Sequence, residues 1–263
     1  MTTPATAPAS DLERRLAQPK RRERPALVAY LTAGFPSPEA FPDLLRRVAR
    51  VADAVEIGVP FTDPMADGVT IQRTSREALR QGVTLTGILQ QLESSGRLEA
   101  PVLLMSYLNP LLAYGLDRLV SQAARSGVTG FIVPDLPLEE CESLKALTDN
   151  EGMALVQLVS PVTPPARLAT LCRVSRGFVY AVTITGITGG AGERDTVGIG
   201  AYLDRVREQS TIPVCAGFGI RTASQIDSLA QHVDGVIVGS ALLEAIERGE
   251  DPVRFLEGLR DDG

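Results

Sequence analysis

The stretch PVCAGFGIRTASQIDSLAQHVDGVIVGSALLEAIERG (213–249) holds two strand-and-helix units in succession. PVCAGF (213–218) and GVIVGS (235–240) are short apolar runs of small and β-branched residues, the composition of strands buried on both faces. TASQIDSLAQHV (222–233) and ALLEAIERG (241–249) carry the spacing of amphipathic helices. A strand, a helix and a second strand in so short a span predict a parallel pair joined by a crossover helix. Working outward from this stretch, the same unit recurs. Further strand candidates are LVAYLTA (27–33), AVEIGV (54–59), VLLMSY (102–107), GFIVPD (130–135), ALVQLVS (154–160) and FVYAVT (178–183), which brings the number to eight. Helix-like segments lie between them, among them 38–51, 116–127, 138–152, 165–175 and 200–210, several ending at Gly or Asn.

Eight repeats predict one (β/α)8 TIM barrel, a fold that runs to about 250 residues. A short extra N-terminal helix is expected at DLERRLAQ (11–18), capped by Ser10 or Asp11. Residues 1–10, rich in Pro, Thr and Ala, are expected to be a disordered tail, and 11–263 a single barrel domain without an internal linker. The alternative is an open doubly wound sheet. That fold places a GxGxxG or GxxxxGK[ST] loop after its first strand, and none occurs there.

Composition removes whole classes of function. A net charge of −6 and a pI near 5.0 provide no general field for nucleic acid or an anionic membrane, so any phosphate must be held locally. No run approaches the ~20 apolar residues of a membrane span, and MTTPATAPAS (1–10) lacks the features of a secretion signal. A cytoplasmic protein is expected. Cys141, Cys172 and Cys215 are odd in number and widely spaced, matching neither a disulfide framework nor a zinc motif. Scarcity narrows the chemistry further. Of the only two lysines, Lys20 precedes the barrel and Lys145 falls within a helix, so neither suits a Schiff base at a strand end. The one histidine, His232, cannot form the multi-histidine ligand set of metal-dependent aldolases, so no metal is expected.

The longest interruptions, roughly 60–70, 108–115 and 184–199, all follow strands and so belong to the face where barrels build active sites. Gly217 and Gly219 follow the seventh strand, and Gly239 with Ser240 leads from the eighth into a helix. Barrels bind phosphate at this pair of loops, where backbone N–H groups and a helix N-terminus face the anion. Gly186, Gly189 and Gly190 lie in TGITGGAGERD (185–195) and could close over the same point. Glu56 interrupts an otherwise apolar strand. A buried carboxylate there is either a structural group paired with Arg or backbone, or a catalytic group whose affinity for protons is raised by desolvation. Asp63 and Asp67 both lie in the following loop, and either could serve as its partner or simply cap a turn. What remains is carboxylate acid/base chemistry on a small phosphorylated substrate.

The motifs LTAGFP (31–36), VEIGVPFTDPMADGVTIQ (55–72), LLMSYLNP (103–110), GFIVPDLPLEE (130–140), YAVTITGITG (180–189), AGFGIRTASQ (216–225) and DGVIVGSAL (234–242), in this order, resemble the tryptophan synthase alpha chain family. The resemblance implies a lyase that cleaves indole-3-glycerol phosphate by retro-aldol chemistry to indole and glyceraldehyde 3-phosphate. It implies Glu56 as the carboxylate shuttling a proton between the C3′ hydroxyl and indole C3, and Asp67, not Asp63, as the partner of the indole N–H. Tyr30, Tyr180, Thr188 and Phe218 match residues around the substrate, and Gly186, Gly217, Gly219, Gly239 and Ser240 match the phosphate cradle. It further implies an αββα heterotetramer with a tryptophan synthase beta chain that carries the pyridoxal phosphate, this chain needing no cofactor. The loops around Pro60 to Pro64 and Tyr107 to Pro110 resemble the contact surface. Alternative readings are a stand-alone lyase releasing free indole, a silent subunit that only activates its partner, and a phosphoribosyl isomerase or decarboxylase on the same scaffold.

Overall fold

Apolar runs of four to seven residues, too short for helices and continuous rather than alternating, are the strands of a parallel sheet covered on both faces. In the computed structural model, which describes residues 7–18, 24–183, 196–217 and 219–260, they form eight strands. These are β1 (Ala26–Thr32), β2 (Ala54–Gly58), β3 (Val102–Met105), β4 (Val128–Ile132), β5 (Ala154–Val159), β6 (Val179–Val182), β7 (Val214–Gly217) and β8 (Gly235–Val238). Each pairs in parallel with the next, and β8 closes on β1. The expected (β/α)8 barrel is therefore the observed fold.

The helices are α1 (Pro8–Leu16), α2 (Phe41–Val51), α3 (Val69–Arg80), α4 (Leu85–Ser95), α5 (Leu108–Tyr114), α6 (Leu116–Arg125), α7 (Glu142–Asn150), α8 (Pro165–Val174), α9 (Thr196–Gln209), α10 (Ala223–Leu229), α11 (Ser240–Glu247) and α12 (Pro252–Gly258). Several boundaries differ from expectation, each for a local reason. α1 starts at Pro8 rather than Asp11, and neither Ser10 nor Asp11 caps it. Pro8 occupies the first turn, where its missing N–H is no loss, and Asp11 lies within that turn beside the positive end of the helix. The segment after β3, expected as a loop, is α5. Pro110 falls in its first turn, where proline is tolerated, and Asp135 Oδ1 accepts the Leu108 N–H at 2.9 Å. The segment 138–152 divides into a single 3₁₀ turn (Leu138–Glu140) and α7. α9 begins at Thr196, so the last residues of the expected 184–199 loop are helical, and 184–195 lie outside the described residues.

Two cores result from the alternation of side chains along each strand. One face of each strand packs outward against the helices, Val55 and Ile57 of β2 among them. The other fills the barrel with Val28, Tyr30, Ala54, Leu103, Met105, Ile132, Val156, Phe178, Tyr180, Cys215 and Ile237. Leu12 and Leu16 of α1 join this second core, so the amphipathic N-terminal helix plugs the barrel below. The Gly177 N–H donates to Glu13 Oε1 at 3.0 Å and fixes the plug in place.

Candidate active site

Glu56 stands between Val55 and Ile57, which face outward, and therefore points into the barrel. It is fully buried, and neither carboxylate oxygen has a hydrogen-bond partner among the described residues. Its neighbours in register are Tyr30 on β1 and Leu103 on β3. With no donor to stabilise the anion, burial, and then the charge of Asp67, raise its pKa from 4.5 to about 8. Glu56 thus holds its proton at neutral pH.

Asp67 reaches the same point from the segment between β2 and α3. It is half-buried, and its pKa is raised from 3.8 to about 6 by desolvation, opposed by a hydrogen bond from the Tyr107 hydroxyl. The Tyr107 Oη also accepts the Ala66 N–H at 2.8 Å, and its ring stacks on Phe61 with centroids 5.2 Å apart. One tyrosine at the end of β3 therefore holds three points of the Asp67 segment. Asp63 is exposed and accepts a hydrogen bond from Thr62 Oγ1 at 2.5 Å. Of the two aspartates the sequence left open, the structure brings Asp67 into electrostatic contact with Glu56. The two carboxylates differ in environment, so at pH 7 one is protonated and the other ionised.

Tyr30 and Tyr180 complete the polar floor. Both are buried, and both phenols are held protonated: Tyr30 by burial and then by the charges of Asp67 and Glu56, Tyr180 by burial and then by Glu56. Their rings lie over glycines. A Cβ on Gly58 would stand 2.0 Å from Tyr30 Oη, and one on Gly217 would stand 2.5 Å from the Tyr180 ring. No side chain larger than hydrogen fits at either position without moving a tyrosine. Gly58 had not been singled out from the sequence, nor had Tyr107 beyond its place in a surface loop.

The phosphate-type residues gather at the exits of β7 and β8. Thr183 donates from Oγ1 to the Gly217 carbonyl at 2.8 Å, fixing the strand end. Gly219 has a left-handed backbone (φ 81°), and a Cβ there would meet nothing within 4 Å, so its backbone lies open. Gly239 precedes α11, which begins at Ser240, and among the described residues no side-chain cap hydrogen bond is made at that helix start. A helix start without a side-chain cap at the strand ends of a barrel suits a phosphate. Gly68, next to Asp67, adjoins this end: its Cβ would lie 4.0 Å from Ser240 Oγ. Gly186, Thr188 and Phe218 fall outside the described residues. Among the described residues no group of three or more His, Cys, Asp or Glu side chains is placed to hold a metal ion, and no helix is long and apolar enough to cross a membrane.

Residues 16–257 match the family described as "Tryptophan synthase alpha chain". A tryptophan synthase alpha chain of Nitratidesulfovibrio vulgaris (strain DP4) is 45% identical over 253 residues, covering 95% of this chain and 97% of the relative. One of Xylella fastidiosa (strain M12) is 44% identical over 235 residues, covering 88% and 87%. Among solved structures, Mycobacterium tuberculosis tryptophan synthase superposes with a TM-score of 0.84 at 35% identity, covering 94% of this chain and 95% of that one. The Legionella pneumophila str. Paris alpha subunit superposes with a TM-score of 0.83 at 32% identity, covering 97% and 96%. Taken with the barrel and its paired carboxylates, these matches make the chain a member of the tryptophan synthase alpha chain family.

Proposed function

We propose that the chain carries out the lyase reaction known for its family, cleavage of indole-3-glycerol phosphate to indole and glyceraldehyde 3-phosphate in tryptophan biosynthesis, with Glu56 and Asp67 as its catalytic residues. The observation that carries this reading is the unlike pair: a fully buried, unpartnered Glu56 with a pKa of about 8 facing a half-buried Asp67 with a pKa of about 6. At pH 7 the site therefore starts as Glu56–H and Asp67 carboxylate. Asp67 takes the proton of the indole N–H while Glu56 delivers its own proton to C3, giving the neutral indolenine. Glu56, now ionised, takes the proton of the C3′ hydroxyl, the C3–C3′ bond breaks, and its electron pair returns to the ring. The ring nitrogen recovers its proton from Asp67. Both carboxyl groups end as they began, so each turnover resets the site. Activity should follow a bell between the two pKa values, read as properties of the coupled pair.

The phosphate is bound by the backbone around Gly217, Gly219, Gly239 and Ser240, and the family resemblance adds Gly186, which lies outside the described residues. Tyr30 and Tyr180 bound the indole and glycerol, and the family resemblance adds Phe218 and Thr188, which lie outside the described residues. Family membership implies a beta-chain partner. An αββα heterotetramer in the cytoplasm, with pyridoxal phosphate in the beta chain and no cofactor in this one, is the assembly we favour. The exposed apolar side chains Met65 and Leu112 adjoin in sequence the loops Pro60 to Pro64 and Tyr107 to Pro110 of the expected contact surface, which supports a partner there. The test is indole release from indole-3-glycerol phosphate by the full chain, alone and with a tryptophan synthase beta chain. Release that rises with the beta chain is expected. Equal, rapid release without it would indicate a stand-alone lyase, and no release in either case would overturn the reaction.

A further inference from the structure

The proposed site is divided between elements. Asp67 belongs to the segment leading into α3, whereas the phosphate end belongs to the exit of β7 and the start of α11. Contacts joining the two converge on Glu244. This residue lies four positions after Ser240, on the same face of α11. Its Oε1 accepts a hydrogen bond from Thr70 Oγ1 at 2.8 Å, and its Oε2 is ion-paired with Arg221. Thr70 is buried in the first turn of α3, three residues after Asp67, and Arg221 follows Gly219 by two. A single carboxylate, 23% exposed, thus touches the element behind the acid/base aspartate and the loop behind the phosphate glycines. One turn further on, Arg73 forks onto Glu247 at 2.9 and 2.5 Å, a more exposed pair that aligns the same two helices.

The charge on Glu244 is compatible with a neighbouring phosphate. Burial raises its pKa, but the hydrogen bonds from Arg221 and Thr70 outweigh that and bring it below 4.5, so it is ionised at neutral pH. The Arg221 guanidinium offsets its negative charge.

We infer that Glu244 is a positioning residue, which fixes the Asp67 segment at one separation from the phosphate-binding end of α11. The inference rests on the reaction proposed above. A substrate anchored by its phosphate meets Asp67 at its indole nitrogen, and a misplacement of about 1 Å between anchor and reacting group can lower the rate about 10²-fold. Hydrogen bonds from Thr70 and Arg221 to one carboxylate remove that freedom before substrate arrives.

The experiment compares Glu244→Ala, Glu244→Gln, Thr70→Val and the Glu244→Ala/Thr70→Val double variant in the full chain, alone and with a beta chain. Cleavage of indole-3-glycerol phosphate is measured beside the binding of glycerol 3-phosphate, which reports the anchor alone. We expect kcat to fall about tenfold in Glu244→Ala and in Thr70→Val, with affinity for glycerol 3-phosphate kept within about threefold. Glu244→Gln, whose amide oxygen still accepts from Thr70, should keep most of kcat. The double variant should lose no more than Glu244→Ala, because both changes break one tie. A purely structural role would instead lower Tm, with kcat and affinity falling together or not at all. Single variants within about twofold of wild-type kcat, or losses that multiply in the double variant, would overturn the inference while leaving the reaction intact. A wild-type chain that binds glycerol 3-phosphate yet releases no indole would overturn the reaction and this inference with it.

Discussion

Asp53, just before β2, and Glu56, in its middle, lie three residues apart, both buried, and their surroundings are opposites. Asp53 Oδ2 accepts the Leu27 N–H and an Arg260 N–H, each at 2.8 Å. Glu56 has no such partner among the described residues. The difference follows the barrel axis. Below, Asp53 ties β1, β2 and the C-terminal segment together, and Leu12, Leu16 and Phe178 close an apolar interior. Above, the same strands keep two buried tyrosines and a desolvated carboxyl. A buried polar group that is fully bonded stabilises the native state, and one left unbonded destabilises it. The lower end therefore provides the stability against which the upper end holds Glu56 unpaired.

The change with the largest expected effect removes the unpaired member. Glu56→Gln keeps the shape but cannot exchange the proton, so cleavage should fall by about 10²–10⁴, the usual range for general acid–base groups. Binding of glycerol 3-phosphate should be nearly unchanged. The same substitution also has a stability signature of defined sign. Below pH 4.5 folded and unfolded chains both carry the Glu56 proton. Between 4.5 and about 8 the unfolded chain releases it while the folded chain retains it, so wild-type stability declines as pH rises through that window. Denaturant titrations at pH 5 and pH 8 should show this decline, on the order of a few kcal/mol, reduced in Glu56→Gln. A variant with unaltered cleavage, or with the same slope as wild type, would remove Glu56 from the role given to it.

The paired member should behave in reverse. Asp53→Ala leaves the Leu27 N–H without an acceptor and the Arg260 guanidinium without its anion. A fully buried pair broken in this way loses about 3–5 kcal/mol, but Arg260 is 35% exposed, so roughly 2 kcal/mol is the better expectation. Equilibrium unfolding measures it. Activity at a temperature well below Tm should remain at the wild-type level, and a selective loss of kcat would mean that Asp53 and Glu56 are not functionally separate.

Much of this contrast is visible in the sequence, for physical reasons. The barrel strands are sheathed on both faces, so they occur as uninterrupted apolar runs, and a carboxylate inside one of them, Glu56, is conspicuous. Glycines at the ends of β7 and β8 are similarly plain. Other parts depend on contacts between distant residues. Nothing local distinguishes Asp67 from Asp63; the distinction comes from burial and from Tyr107, forty residues further along. The helical start at Leu108 is concealed by Asn109-Pro110, because the Asp135 carboxylate that caps it lies on the next loop. Glu244 resembles any charged residue on the wet face of a helix until Thr70 and Arg221 are placed around it. Pattern reports what each residue needs, and only the fold reports which residue supplies it.

Tyr107 offers the smallest and most selective test of the upper end. Its hydroxyl donates to the Asp67 carboxylate and accepts the Ala66 N–H, so it favours the ionised aspartate and holds down a pKa that burial raises to about 6. Tyr107→Phe retains the ring against Phe61 and loses only the hydroxyl. The N–H of exposed Ala66 loses this acceptor and turns to water, so stability should fall by no more than about 1 kcal/mol. With the donor gone, the Asp67 pKa should rise further. Because the proposed reaction requires Asp67 ionised and Glu56 protonated, the acid limb of the kcat/KM profile should move to higher pH while the alkaline limb, assigned to Glu56, stays in place or moves slightly lower. The bell narrows from its acid side. A shift of both limbs in the same direction, or a profile that does not change, would mean that Tyr107 supports the segment without tuning the carboxylate it touches.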